Sequence, residues 1–574
     1  MRKLKITAAA LTAVLFLISA GCGTEQTASA QTAETQTIQA DTVSVTTVDV
    51  VTADYSDRDL DGTYDESEAV YVDLSSVEGD YTIAAGGVYV FSGTLRDGTI
   101  IVDAGEDDKV QIVLNGASVS SGDGPAIYAV SADKVFITAA EGTSNTLIDG
   151  DSYADDPYGN TPDGAVFAKC DLTINGSGTI TIDGNYKFGV VGKDDVVIAD
   201  VTLNVTAVSD GVSGKDSVSV NSGVITITAG GDGIVSVNKD DTEKGNVTID
   251  GGTISITTGG AGADSAKGIK AQCALTINGG SVTIDAEDDA LHSGESLNVT
   301  GGVLTLASGD DGMHCDDTLV ISGGEITVSQ SYEGIEASTI TIAGGTIFVT
   351  ASDDGLNAAG GADSSASGND RWGGDSFASD ASKQIIISGG TLTINASGDG
   401  IDSNGSLSVT GGSVFVSGPT DSGNGALDAS PATISGGSVI AAGSTGMAVT
   451  FGSSSSQCSL MYTYQSVQSA GTLVTLTDSD GNVIVSFAPQ KQYQNVVISA
   501  SAMSDGETYL LYSGGSVSGG TLSGGTLVES ITLSGVSTTY GSGGSTSRGG
   551  FDSQVPGDSQ MPGGGQPSGG GRRG

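Results

Sequence analysis

Acidic residues recur on a regular beat through the middle of this chain. Asp288 and Asp289 form one doublet, Asp310 and Asp311 a second and Asp353 and Asp354 a third, with Glu333 and Asp399 in the matching places between and after them. Three residues beyond the last acid of each group stands another polar side chain, expected to face outward: His292, His314, Glu336, Asn357 and Asp402. Carboxylates held a few ångströms apart select oxygen-loving divalent cations, and Ca2+ takes six to eight such ligands with loose geometry. An Asp that merely initiates a turn is the alternative. Lone Asp-Gly corners fit that alternative, whereas doublets repeated in neighbouring units point to metal. The expected ligands on this edge are Asp288, Asp289, Asp310, Asp311, Glu333, Glu336, Asp353, Asp354, Asp399 and Asp402.

Three further groups can carry chemistry. In SDRDLDGTYDESE, residues Asp57, Asp59, Asp61, Gly62, Thr63, Asp65 and Glu68 fall at positions 1, 3, 5, 6, 7, 9 and 12 of an EF-hand-type Ca2+ loop. No flanking helices are evident, so a solvated acidic turn stands beside the Ca2+ loop as an equal alternative. Trp372, the sole tryptophan, lies with Arg371 in the one long interruption of the beat, GGADSSASGNDRWGGDSFASDAS. An exposed indole beside a cation stacks on a sugar face; packing of Trp372 back onto the protein is the alternative. Catalysis has thinner support, because no Ser or Cys arrangement forms a nucleophile site and too many carboxylates qualify as acid/base partners. Lys193 and Lys215 occupy matching positions in adjacent units, and Lys270, nearer the acidic beat, is the candidate base for a Ca2+-assisted elimination; the favoured alternative is that all three are solvated or neutralise nearby Asp.

These side chains need a scaffold that repeats with them. From Leu275 the chain reads LTINGGSVTIDAEDDALHSGES, LNVTGGVLTLASGDDGMHCDDT and LVISGGEITVSQSYEGIEAST. Gly-Gly pairs begin at Gly279, Gly301, Gly323 and Gly344, in steps of 22, 22 and 21 residues, and resume at Gly389 and Gly411, again 22 apart. Each unit holds three short alternating stretches, which in one case are Gly312–Cys315, Thr318–Ile321 and Glu325–Ser329. Period-2 alternation sends Met313, Cys315, Leu319, Ile321, Ile326 and Val328 to one side. Strands this short form no sheet alone. Stacked on the next unit, each pairs in parallel with its counterpart about 4.8 Å away, which builds apolar ladders inside and gathers the acids on one edge. No stretch sustains a helical period, so the expected fold is all-β, a parallel β-solenoid with coils of about 22 residues and β caps at both ends.

Residues 1–21 read as an export leader: Arg2, Lys3 and Lys5 precede an apolar run, Ile6 to Ile18, too short to span a membrane. It ends in LISAGC, which resembles the lipobox of bacterial lipoproteins with Ser19 where Leu is usual, so Cys22 is the expected lipidation site. An ordinary cleaved leader is the alternative. A flexible tether follows over 22–54, an N-terminal cap with the first coils over 55–170, the β-helix over 171–446, a C-terminal β cap over 447–540 and a disordered Gly/Ser/Pro-rich tail over 541–574. With 69 acidic against 21 basic residues and a net charge of −48, nucleic acid and anionic lipid surfaces are poor partners, and so is an anionic polysaccharide unless a cation mediates. Cys170, Cys273, Cys315 and Cys458 are widely separated and include no C-x-x-C pair, as expected of small core residues rather than a zinc or redox site.

Four segments, taken together, are similar to a known family: SDRDLDGTYDES, DAGEDDKVQIVLNGASVSSGDGPAIY from Asp103, KCDLTINGSGTITIDGNYKFGVVGKDD, and GDGIDSNGSLSVTGG with GPTDSGNGALD. They resemble bacterial carbohydrate-binding proteins with a calcium-containing parallel β-helix, over the stretch from Tyr55 to Tyr512. Members look like pectate lyases in fold but act as binders of cellulose and acidic sugars. The resemblance implies carbohydrate binding and Ca2+ sites on the solenoid, without assigning individual ligands. The expected function is a non-catalytic, Ca2+-dependent polysaccharide binder, monomeric and anchored through lipidated Cys22 at the outward face of the bacterial cell membrane. Ca2+ would bridge protein and uronate carboxylates. Two alternatives stay open: a Ca2+-assisted, pectate-type lyase with Lys270 as base, and a structural or adhesive surface stalk that Ca2+ only stiffens.

Overall fold

A computed structural model describes residues 51–260, 265–359 and 380–541. Cys22, Arg371 and Trp372 lie outside these residues, as do the leader, most of the tether and nearly all of the tail. Among the described residues the chain is nearly all β, with long arrays of parallel strands.

Three strands recur in each unit, and each pairs with its counterparts one unit before and one unit after. Ser296–Val299 lies between Ala274–Ile277 and the second half of Met313–Ile321, which aligns Leu275, Leu297 and Leu319. Val303–Ser308 lies between Ser281–Ala286 and Glu325–Gln330, aligning Ile284, Leu306 and Val328. Leu291–Ser293 lies between Ile269–Ala271 and the start of Met313–Ile321, aligning Ile269, Leu291 and Met313. Branched side chains stacked like on like pack well on a pleated surface. The six residues expected to point inward around Met313 are all buried.

The paired glycines do two different jobs. A Cβ on Gly344 would sit 2.2 Å from the carbonyl oxygen of Ser322 in the preceding unit, so the close approach of two turns excludes any side chain. Gly345 has φ of +84°, a conformation that L side chains rarely adopt.

Residues 360–379 interrupt the repeat between Leu356–Ala358 and Gln384–Ile387. Ladder pairs on both sides, Asn357↔Asp402 and Ile340↔Ile385, stay in register. The insertion therefore enters at a connection and leaves the acidic edge continuous.

Parallel pairing already begins at Val70–Asp73, where Val70 aligns with Tyr89. At the other end Ser438–Gly443 pairs antiparallel with Tyr493–Ala500, which also pairs antiparallel with Ser459–Gln468. That reversal covers the last strand of one of the three parallel arrays. A separate core with Tyr464, Leu476, Tyr493 and Leu511 forms beyond it. The four described cysteines are buried and free.

Candidate functional site

The acids sit where the second strand of each unit turns into the third. Backbone bonds set their spacing: Gly312 N donates to Glu333 O at 3.0 Å, Gly334 N to Asp354 O at 2.9 Å and Gly355 N to Asp399 O at 2.9 Å. Asp289, Asp311, Glu333, Asp354 and Asp399 thus occupy successive heights of one edge. Four of the five are followed by glycine for want of room; a Cβ on Gly355 would lie 2.4 Å from Ile394 Cγ2 and 2.5 Å from Gly400 O. Turn-building and ligand-bearing roles prove compatible. Asp289 Oδ1 accepts from Asp311 N at 3.1 Å and Asp354 Oδ1 from Asp399 N at 2.5 Å, while Asp399 Oδ1 accepts from Gly425 N. Each of these carboxylates spends one oxygen on the next turn and keeps a second for other chemistry.

The polar residue three positions on forms a parallel row. Lys270 aligns with His292, His292 with His314, His314 with Glu336, Glu336 with Asn357 and Asn357 with Asp402. Asp428 extends the row beyond Asp402. The expectation that this row faces outward is corrected for His314 and Asn357, which are 1% and 2% exposed. Successive rungs cover one another: the His292 and His314 rings stack at 4.9 Å with 7° between their planes.

Toward the N-terminal end the acids have cationic partners. Lys267, buried and unforeseen from the sequence, reaches Asp288 Oδ2 at 3.0 Å and Asp289 Oδ2 at 2.6 Å. It stands in the acidic position of its own unit, with Lys270 three residues later, and residues 261–264 just before it disturb the spacing that would have revealed the match. Lys270, the expected base, instead lies 3.7 Å from Asp232. Burial opposes ionisation of Asp289, but the His292 hydrogen bond at 2.9 Å and the nearby Lys267 and His314 charges overcome it and hold the carboxyl below the usual range. Burial likewise disfavours a charged His314. Contacts to Asp311 at 2.9 Å, Asp316 at 3.2 Å and Glu336 at 3.0 Å outweigh that penalty and keep the imidazole protonated. Asp311 itself is raised well above the carboxylate range by burial.

Toward the C-terminal end the neighbours are other acids. Asp354, Asp399 and Asp402 each bring a carboxylate oxygen within 4.8 Å of the others. Burial, then Asp399, Asp353 and Asp402, push Asp354 up to about 9. Asp399 rises to about 7 through burial, with the Gly425 hydrogen bond opposing and Asp428 and Asp353 adding. Glu333 is raised by burial and then by Glu336 and Asp311. Asn357 Nδ2 donates to Glu333 Oε2 at 2.7 Å. Its Oδ1 is buried and has no hydrogen-bond partner. In the following unit Asp402 is the register partner of Asn357. Three converging carboxylates and, in the same stack, a buried amide oxygen without a hydrogen-bond partner make a group of hard oxygen atoms that could hold a metal ion.

Two other convergences, Asp288–Asp289–Asp310 and Asp311–His314–Glu336, involve the same edge. A fourth, Asp171–Asp194–Asp195, lies at a different corner and went unread in the sequence. The EF-hand-type spacing is not assembled into a site. Asp59 is buried and paired with Lys134 at 2.7 Å, with Ser56 N donating to it at 2.8 Å. Asp61 and Asp65 cap their own turns through Thr63 N and Ser67 N, at 2.9 and 2.8 Å, and Asp57 and Glu68 are exposed.

Comparison with known proteins adds the biological context. A family model described as carbohydrate-binding domain-containing protein matches residues 77–265, 260–312 and 311–488. A carbohydrate-binding domain-containing protein of Acetivibrio thermocellus is 36% identical over 135 residues, which are 23% of this chain and 47% of that relative. The chain thus spans about half the length of the curated relative it matches. A solved polysaccharide lyase-like protein from C. thermocellum, in a gadolinium derivative, is 29% identical with a TM-score of 0.37, covering 44% of this chain and 96% of that one.

Proposed function

The chain belongs to the family of carbohydrate-binding domain-containing proteins, and from that premise we propose that it binds acidic polysaccharide through Ca2+ held on the acidic edge, without cleaving it. The three parallel arrays are read as the faces of one β-solenoid with coils of about 22 residues, and the chain is read as a surface lipoprotein anchored through Cys22. One observation carries the Ca2+ assignment: Asp354, Asp399 and Asp402 converge within 4.8 Å, in the same stack as Asn357, the register partner of Asp402, whose buried Oδ1 has no hydrogen-bond partner. These four residues would hold the ion. Bound there, Ca2+ supplies positive charge and open coordination positions for oxygen ligands, including a uronate carboxylate. The protein's own residues hold the cluster in place: Gly425 N fixes Asp399, Asp399 N fixes Asp354, and Glu333 orients the Asn357 amide.

The test measures retention of the full chain by immobilised polygalacturonate in Ca2+ and in chelator, with Asp399→Asn/Asp402→Asn alongside. Ca2+ should strengthen retention at least about tenfold, the worth of one well-made charged contact, and the double variant should lose that gain. Equal retention with and without Ca2+ would sink the Ca2+ assignment. Growth of an unsaturated-product absorbance during incubation would overturn the non-catalytic reading. Release of labelled palmitate-derived lipid with the protein, abolished by Cys22→Ser, checks the anchor; an unlabelled wild-type protein rejects it.

A further inference from the structure

We infer that a second, metal-independent subsite for an anionic sugar chain lies in a lysine-lined groove nearer the N-terminal end of the same parallel array. It rests on the polysaccharide reading above but requires no cation. Although the chain carries 69 acidic residues against 21 basic ones, six of the basic ones fall between 169 and 244: Lys169, Lys187, Lys193, Lys215, Lys239 and Lys244. Three of them stack. Ala168 aligns with Gly192 and Gly192 with Gly214, so Lys169, Lys193 and Lys215 follow their strands on consecutive rungs, about 4.8 Å apart. That spacing is on the order of one sugar residue in an extended chain. Val237 takes the next rung, since Gly214 aligns with Ser236, and the segment after it brings Lys239 to the rim.

The result is a groove of about 220 Å³ lined by Lys193, Lys215, Lys239, Ser213, Val237 and Asn238, with Asp240 as its acid. Two of its lysines make only long ion pairs, and Lys193 also lies over the Phe167 ring at 5.1 Å. Lys193 Nζ is 3.7 Å from Asp163 and Lys215 Nζ is 3.7 Å from Asp216, both beyond hydrogen-bond reach. Asp216 is already held by Lys244 and by Asn238, the latter at 2.6 Å. The Lys193 and Lys215 side chains are 43% and 51% exposed, so their ammonium donors remain open to a ligand. Val237, 46% exposed, offers an apolar contact for the C–H face of a sugar ring. Ser213 adds a neutral hydroxyl, while Asn238 braces the wall, its amide donating to Asp216 and accepting from Asp240 N and Asp241 N. An ammonium is a point charge that accepts a carboxylate or a sulfate equally, so the shared chemistry is an anionic group carried on successive sugars.

The experiment uses the full chain with two soluble probes, polygalacturonate and a sulfated galactan, each in chelator at low salt and again in Ca2+. In chelator the wild type should bind at least one polymer, and Lys193→Gln/Lys215→Gln should weaken that binding about tenfold or more. Lys193→Arg/Lys215→Arg should preserve binding, and Asp399→Asn/Asp402→Asn should leave the chelator-resistant component unchanged. The responding polymer identifies the anion as carboxylate or sulfate. If the wild type binds neither polymer in chelator, or the Gln variant binds both as wild type does, the subsite is rejected. Loss of Ca2+-strengthened binding with survival of the lysine-dependent component would reject the acidic-edge reading and leave this one standing; the reverse outcome separates them the other way.

Discussion

Two ends of one edge solve the same electrostatic problem in opposite ways. Around Lys267 and His314 the carboxylates are matched by cations from the chain, at 2.6–3.2 Å, and His292 adds a hydrogen bond to Asp289. Around Asp354 and Asp399 the groups pressing on each carboxyl are further acids, and burial leaves them reluctant to ionise. Backbone geometry is shared, since both ends rest on the same turn-to-turn hydrogen bonds. What differs is which side chains the repeat places on the rungs. The matched end is a structural clamp by this account, and the unmatched end is where an external cation gains most.

The largest expected effect is a pH dependence that belongs to the unmatched end. Asp354 and Asp399 have folded pKa values raised to about 9 and about 7, above the ordinary 3.8. Between the ordinary value and the raised one, the unfolded chain has released protons that the folded chain keeps, so stability falls as pH rises through that window. Each group contributes a slope of up to roughly 1.4 kcal/mol per pH unit. Asp289, with its lowered pKa, acts in the opposite sense and loses its contribution only below the ordinary carboxylate range. Urea midpoints measured in chelator should therefore decline from pH 5 to pH 9, and Ca2+ or Asp354→Asn should flatten the decline. An unchanged slope in Asp354→Asn would erase the distinction between the two ends.

Removing the cation from the matched end should come next in size. Lys267→Met leaves Asp288 and Asp289 buried beside an apolar side chain, and breaking a buried pair in this way costs about 3–5 kcal/mol. Thermal unfolding in Ca2+ should show the loss, and a cost below about 1 kcal/mol would mean the acids there need no partner. Asn357→Leu, on the boundary between the ends, is expected to cost about 1–3 kcal/mol because Glu333 loses its donor. Calorimetric Ca2+ titration of that variant should also show weaker binding, through loss of Oδ1. Unaltered Ca2+ affinity would remove Asn357 from the ligand set.

Much of this contrast was legible in the residues themselves. Gly-Gly pairs and period-2 alternation located the strands, because close turn packing and positive φ admit little else. The Asp doublets located the edge, because each turn uses one carboxylate oxygen and repeats the demand. Lys267 escaped notice because the segment before it breaks the spacing, so its register with Asp289 appears only in the pairing of Ile269 with Leu291. Asp428 escaped because Gly425 replaces the acid that would have marked its corner. The EF-hand spacing left the partner of Asp59 hidden because the 1, 3, 5 pattern carries no information about Lys134, whose ammonium takes Asp59 from a distant strand. Burial of His314 was hidden for a related reason: it arises from stacking between units, which no single unit encodes.

The smallest expected effect is also the most discriminating within the matched end. His292 and Lys267 both bind Asp289 Oδ2, at 2.9 and 2.6 Å, yet the His292 side chain is 12% exposed and that of Lys267 only 4%. Solvent reaches one partner and barely the other. Loss of the more accessible donor leaves the ammonium in place, so Asp289 stays ionised and still accepts from Asp311 N. His292→Gln should then cost about 1 kcal/mol, the net worth of an ordinary hydrogen bond, and urea unfolding at neutral pH measures it. A cost equal to that of Lys267→Met would make the imidazole stack, rather than the buried ammonium, the element that lets this end carry its acids without metal.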